Sequence, residues 1–120
     1  MIGQLRSVVV DCKDPKALAT FYSGVLGGTV DAEDDTWVVL TDPAGRRLAF
    51  QYSPEHDPPQ FPDSHGSQQF HLDVLVDEFE GAEQAVLALG ATRLPGGQKS
   101  FRVYADPAGK PFCLTRPEGS

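Results

Sequence analysis

The chain is short of what several architectures would need. It has two cysteines in 120 residues, too few for a disulfide scaffold. Both, Cys12 and Cys113, sit in apolar runs that suit reduced, buried thiols. Only 10 Lys and Arg stand against 17 Asp and Glu, a formal charge of −7. That balance repels phosphate backbones and anionic lipid, so neither nucleic acid nor a membrane surface is an expected partner. No apolar run is long enough to span a bilayer. The opening MIGQLRSVVV has no charged start, long apolar middle and small-residue cleavage site, and the expectation is a cytoplasmic protein. There is no low-complexity segment either: the 12 Gly and 10 Pro fall at turn positions. With 40% hydrophobic and 22% charged residues, the composition is that of one folded domain with a core that needs no staples.

What is present is a regular alternation of strand and helix signals. Residues 5–12 (LRSVVVDC) are Val-rich and read as a strand. Asp14-Pro15 then supplies an N-cap and a first-turn proline, and Leu18, Phe21, Tyr22 and Val25 form one stripe of a helix over 16–26 that ends at Gly27-Gly28. Strands are predicted near 28–33, at 36–41 (TWVVLT) and at 46–52 (RRLAFQY), the last two joined by the turn Asp42-Pro43-Ala44-Gly45. Residues 53–67 are a Pro-rich connection, read as a linker that also edges the binding site. The pattern then returns: a strand at 68–76 (QQFHLDVLV), a helix over 78–89 with the stripe Phe79, Ala82, Val86 and Leu89, and strands near 91–94, 100–105 and 110–115.

The second half repeats the first. Leu26-Gly27-Gly28-Thr29 matches Leu89-Gly90-Ala91-Thr92 at an offset of 63, and Asp42-Pro43-Ala44-Gly45 recurs as Asp106-Pro107-Ala108-Gly109 at an offset of 64. Two separate anchors at nearly one spacing mark an internal duplication. The expected fold is α+β: two tandem βαβββ modules, over 1–52 and 68–120, that form a cupped mixed β-sheet with helices on the outside.

The segments VVVDCKDPKALATFYSGVLGG in the first half, and HLDVLVDEFEGAEQAVLALGA with DPAGKPFCL in the second, resemble the vicinal oxygen chelate superfamily. That group holds the glyoxalases, the bleomycin and fosfomycin resistance proteins and the extradiol dioxygenases. The resemblance covers nearly the whole chain, and its nearest flavour is the glyoxalase-like single-domain protein. It implies a small-molecule site on the cupped sheet and a homodimer. It also implies metal ligands on the first and fourth strands of each unit, usually His or Gln, Glu, His and Glu. Carried over by position, that quartet is Ser7, Ala49, His71 and Cys113. Only His71 is a standard ligand, with Gln51 as a partial substitute two residues beyond Ala49, so no metal cofactor is expected. Zinc on His71 and Cys113 would need His56 or His65 as a third ligand, and the spacing does not support one.

Strand alternation sorts the two faces. Val8, Val10 and Cys12, Leu72, Val74 and Val76, and Phe112 and Leu114 are read as core. Ser7, Val9 and Asp11, Gln69, His71 and Asp73, and Cys113 and Thr115 are read as facing the cup. On 100–105 the apolar Phe101 and Val103 are read as core, with Arg102 and Tyr104 on the cup side. Their repeat mates Val38 and Leu40 follow them into the cup and leave Trp37 in the core. The expected ligand-binding set is therefore Ser7, Val38, Leu40, Gln51, His71, Arg102, Tyr104 and Cys113. His71 is also the candidate catalytic residue. It is read either as an acid/base or ligand-contacting imidazole, or as a half-buried histidine satisfied by Asp73 or Gln69. Arg102 suits a carboxylate or phosphate clamp, or else an exposed strand position. The leading functional expectation is binding of a small organic molecule without the family's catalytic metal. The alternative is a metal- or His-dependent lyase, isomerase or dioxygenase, and a scaffold without any small ligand is the third possibility.

Overall fold

The protein is described from a computed structural model over residues 1–59 and 70–117. Most of the expected linker, the start of the expected strand at 68–76, and His65 and Gln69 lie outside those residues. The chain forms two compact units, Met1–His56 and Asp57–Ser120.

In the first unit β1 (Val8–Cys12) is followed by α1 (Pro15–Leu26), β2 (Thr29–Asp34), β3 (Trp37–Thr41) and β4 (Arg47–Tyr52). The second unit repeats the order with β5 (Leu72–Leu75), α2 (Phe79–Ala88), β6 (Thr92–Arg93), β7 (Phe101–Ala105) and β8 (Pro111–Thr115). Each unit builds a four-stranded mixed sheet, in the orders β1-β4-β3-β2 and β5-β8-β7-β6. The first and last strands of each unit pair in parallel, as a helical crossover requires, and the remaining pairs are antiparallel.

The hairpin turns are nearly identical devices. Asp42 Oδ1 accepts from the backbone of Ala44 at 3.0 Å and of Arg46 at 2.8 Å. Asp106 Oδ1 accepts from Ala108 at 2.9 Å and Lys110 at 3.0 Å. Gly45 and Gly109 close the turns at φ of 89° and 88°, a conformation that costs a glycine little.

Both helices start on an acidic cap. Asp14 accepts from Ala17 N at 3.1 Å, and Glu78 accepts from Gly81 N at 3.0 Å. Each helix covers one face of its own sheet. In the first unit Tyr22 stacks on Phe50 with ring centroids 5.9 Å apart, over buried Val10, Cys12, Leu18, Val38 and Leu40. In the second, Tyr104 stacks on Phe112 at 5.6 Å beside buried Val74, Phe79, Val86 and Leu114. Leu89, expected in the α2 stripe, is instead the exposed C-cap residue. The helix ends before it, and the half-buried Glu83 turns inward between Phe79 and Val86. Cys12 and Cys113 are both buried.

Candidate functional site

The helix-free face of the second sheet carries the site. The parallel register sets Asp73 of β5 directly opposite Cys113 of β8, and the antiparallel register sets Val103 of β7 opposite Cys113 and Phe101 opposite Thr115. Residues two apart on a strand share a face. His71, Asp73 and Leu75 therefore form one row, Cys113 and Thr115 the next, and Phe101 and Val103 the third. Above them lies an open concavity of about 920 Å³, lined by these seven side chains with Ser100, Arg116 and Pro117. Its floor is apolar on the β7 side. At the β5 side Leu75 is 69% exposed.

The polar end has three members. His71 Nε2 lies 3.1 Å from Asp73 Oδ1, and the donor atoms of His71, Asp73 and Cys113 all lie within 4.8 Å of one another. In a neutral imidazole that donates through Nε2 to Asp73, Nδ1 remains as the acceptor. Burial, with the Asp73 carboxylate adding to it, pushes the Cys113 thiol up to about 11. The thiol is therefore protonated at neutral pH and is not an activated nucleophile.

The structure brings together only part of the expected set. His71 and Cys113 meet on this face. Gln51 lies on the helix-free face of the first sheet, as expected, where its Nε2 donates to Asp11 Oδ1 at 3.5 Å. Ser7 is half-buried just ahead of β1.

The other four require correction. Val38 and Leu40 are 0% and 1% exposed and lie on the helix side of β3, where Val38 pairs with the Phe50 that stacks on Tyr22. Trp37, Val39 and Thr41 take the helix-free side, so Trp37 is not a core residue of the helix face. Arg102 and Tyr104 also point to the helix. Tyr104 donates to Glu83 Oε1 at 2.9 Å, and Arg102 reaches Glu80 at 3.3 Å and Glu83 at 3.4 Å, with its guanidinium 4.9 Å from the Phe79 ring centroid. The physical reason is common to all four. Polarity put β7 one residue out of phase, the repeat offset carried the same error to β3, and a one-residue slip exchanges the faces of a whole strand. The acidic residues of α2 allow an arginine and a tyrosine to face the helix without unpaired polar atoms.

Asp73, Leu75, Phe101, Val103 and Thr115 line the concavity on these three rows and were not assigned to the binding set from the sequence. Counting outward from the Asp106–Gly109 turn would have found two of them. Asp106 N donates to Lys110 O at 2.9 Å, and that pairing leads to Val103 opposite Cys113 and Phe101 opposite Thr115.

The quartet carried over for a divalent cation does not fit the family's pattern. Ala49 has no donor atom and lies between Val9 and Val39 in the sheet, and Ser7 is a weak ligand. The first unit places Val9 opposite Ala49 where the second places Asp73 opposite Cys113. At this place the polar pair thus belongs to the second repeat, and its counterpart in the first is apolar.

A family model described as a glyoxalase-like domain matches residues 7–115. Among solved structures, a glyoxalase/bleomycin resistance protein/dioxygenase family enzyme from Burkholderia phytofirmans PsJN is 21% identical at a TM-score of 0.71, with 95% of this chain and 98% of that one covered. A possible glyoxalase from Bacillus cereus is 17% identical at a TM-score of 0.71, covering 96% and 99%. A genomically encoded fosfomycin resistance protein from Listeria monocytogenes is 13% identical at a TM-score of 0.72, covering 99% and 97%. At these identities the likeness is one of fold. No curated protein matches the sequence.

Proposed function

Since the chain belongs to the glyoxalase-like family of the vicinal oxygen chelate superfamily, we propose that it binds a small organic molecule on the helix-free face of its second sheet. The observation that carries this reading is the concavity of about 920 Å³ with an apolar floor at Phe101 and Val103 and a polar end at His71 and Asp73. Small-molecule sites generally combine such a volume with mostly apolar walls and a few placed polar groups. Phe101, Val103 and Leu75 would shed water onto an apolar ring or chain of the guest. His71 Nδ1 would accept from a hydroxyl or amine, with the imidazole held in place by Asp73. The guest is held by these side chains and not through the family's four-ligand ion, for which Ala49 supplies no donor.

A second reading rests on one contact. The His71–Asp73 pair at 3.1 Å orients an imidazole as catalytic acid/base residues are oriented, and it favours a His-dependent lyase or isomerase. Both readings carry a cytoplasmic homodimer as the working assembly. The net charge of −7 supports the exclusion of nucleic acid. Among the described residues no helix is long and apolar enough to cross a membrane.

Thermal-shift screening against a library of metabolites and antibiotics tests the proposal. A guest present at a hundred times its Kd stabilises the fold by about 2.7 kcal/mol, an easily measured rise in Tm. Phe101→Ala and His71→Ala should each lose the shift for the same compound. A blank across the library, or a shift indifferent to both substitutions, would overturn it. Turnover of a bound compound that is lost on His71→Ala would select the enzyme reading.

A further inference from the structure

We infer that the guest for which this concavity is built is an organic ammonium ion carrying an apolar ring or chain. The inference rests on the organic-guest reading and adds to it the charge and the hydrogen-bonding sense of the guest. Asp73 carries it. Its side chain is 62% exposed, and among the described residues its one ion-pair partner is His71, which meets Oδ1 at 3.1 Å. An aspartate accepts hydrogen bonds and donates none, so a single donor leaves most of its capacity open. In the tautomer that donates to Asp73, His71 Nδ1 is a further acceptor. Thr115 spends its hydroxyl hydrogen on Val74 O at 3.4 Å, and the Cys113 thiol is only a weak donor. The β5 end of the concavity therefore accepts far more than it donates, and a guest that fills it must bring N–H or O–H groups.

Charge narrows the class. Besides His71, the basic residue along the lining is Arg116. Its guanidinium carbon lies 5.4 Å from the ring centroid of Phe79, the first residue of α2, which turns that cation toward the helix. Asp73 is thus the carboxylate that faces the guest. An anionic guest would meet a like charge there. A neutral donor gains a hydrogen bond, and an ammonium gains the hydrogen bond and the charge together. The chain as a whole sets 17 Asp and Glu against 10 Lys and Arg, so its long-range field draws cations in and turns anions away.

The sheet also sets the length of the guest. Asp73, Cys113 and Val103 stand in one cross-strand row, with Leu75, Thr115 and Phe101 in the next. Neighbouring strands lie about 4.8 Å apart, so the backbones at Asp73 and Val103 are separated by about 9.5 Å. An ammonium on the Asp73 carboxylate that also covers Val103 or Phe101 must carry its apolar part several bonds away. A methylamine is too short to use both ends, whereas an arylalkylamine spans them. Asp73 has Val9 as its counterpart in the first repeat, so the same guest finds no carboxylate at that place in the first sheet.

Three matched probes test the inference: 4-phenylbutylamine, 4-phenyl-1-butanol and 4-phenylbutyrate, which share a ring and a short chain and differ in charge. Each is titrated at pH 7 and low salt into the ¹⁵N-labelled full-length chain, and the backbone amides of β5, β7 and β8 are followed by NMR. The expected order is amine, then alcohol, then carboxylate. The amine should lead the alcohol by about fivefold, the upper end for an ion pair that stays partly exposed, and the lead should shrink as salt screens it. Asp73→Asn should bring the amine and the alcohol together. Because Asp73 is exposed, this variant should fold as the parent does. Phe101→Ala should weaken all three and keep their order. An amine no tighter than the alcohol, or a lead that survives in Asp73→Asn, overturns the cationic assignment and leaves the organic-guest reading standing on the alcohol. Binding by none of the three also overturns it, and the organic-guest reading is then decided by the library screen.

Discussion

The Tyr104 hydroxyl donates to Glu83 Oε1 at 2.9 Å, from the middle of β7 to the inward face of α2. Arg93 and Arg102 meet the same carboxylate. The hydrogen bond from Tyr104, and then the two arginines, hold the Glu83 carboxyl below its ordinary 4.5, while burial pushes the Tyr104 phenol, with Glu83 adding to it, up to about 12. The two groups give opposite pH limbs. As the pH falls, the unfolded chain protonates Glu83 first, so its contribution is complete above about pH 5.5 and is lost through and below 4.5. As the pH rises, the unfolded phenol ionises near 10 and the folded one near 12, so stability is full below 10 and declines between those values. Tyr104→Phe is expected to cost about 1.5–3 kcal/mol at pH 7, the range for a hydrogen bond to a charged group, and to flatten the alkaline limb. Urea denaturation at pH 7 and pH 11 checks both, and an equal alkaline loss in the variant would count against the assignment.

Truncation on the two faces should differ in its cost and in its effect on binding. Leu40 is buried on the helix side of β3, and Phe101 stands half-buried on the helix-free side of β7. Leu40→Ala is expected to cost about 2–5 kcal/mol, the cost of an internal cavity. Phe101→Ala is expected to cost less than half of that and to weaken guest binding. Denaturation midpoints of the two variants, measured side by side, decide it. A Leu40 variant as stable as the parent would restore the cup-side assignment carried over from its repeat mate Tyr104.

The architecture was readable because duplicated signals sit at each element's ends. Asp14 before Pro15, Gly27, and the two Asp-Pro-Ala-Gly turns mark boundaries, and the observed elements fall close to the predicted ones. His71 and Cys113 were readable as facing the same way, since alternation along β5 and β8 follows the apolar residues. β3 and β7 were misread for a physical reason. Arg102 and Tyr104 look like solvent-facing residues until Glu80 and Glu83 are known to approach them. Yet the tight turns held the needed information: Asp42 N donates to Arg46 O at 2.8 Å, which leads to Val39, not Val38, beside Ala49. The meeting of Asp73 with Cys113 was of another kind. β5 and β8 are parallel and joined by no short turn, so their register depends on how α2 seats on the sheet, and no local pattern encodes it.

Cys113 should be a slow thiol. Its value of about 11 against an ordinary 9.0 lowers the thiolate fraction near pH 8 roughly a hundredfold, and the thiolate is the reactive form. Iodoacetamide is expected to label the native protein far more slowly than the urea-unfolded chain, in which both cysteines react at the free-thiol rate. Asp73→Asn removes the secondary cause of the shift and should speed Cys113 labelling modestly without unfolding the protein. Peptide mass spectrometry of the labelled protein follows each site. Labelling of native Cys113 at the rate of a free thiol would show that the carboxylate and the burial do not act as described.

Two glycines separate backbone strain from steric exclusion. Gly28 and Gly45 have φ of 94° and 89°, nearly the same left-handed conformation. A Cβ on Gly28 would stand 2.0 Å from the carbonyl oxygen of Thr41 and 2.8 Å from the Asp42 Cα, both backbone atoms that cannot rotate away. A Cβ on Gly45 would meet nothing within 4 Å. Gly45→Ala should therefore cost only the left-handed penalty of about 1–2 kcal/mol. Gly28→Ala must in addition push β2 away from the end of β3, where Thr29 pairs with Thr41, and is expected to cost more than about 4 kcal/mol, in the range reserved for gross packing conflicts. The duplication supplies a natural contrast, because Ala91 occupies the place of Gly28 in the second repeat, where the following strand, β6, is only two residues long. Urea denaturation of the two single variants measures the difference. Equal losses would mean that the approach of Gly28 to Thr41 relaxes at little cost, and that the first sheet does not depend on a bare backbone at that point.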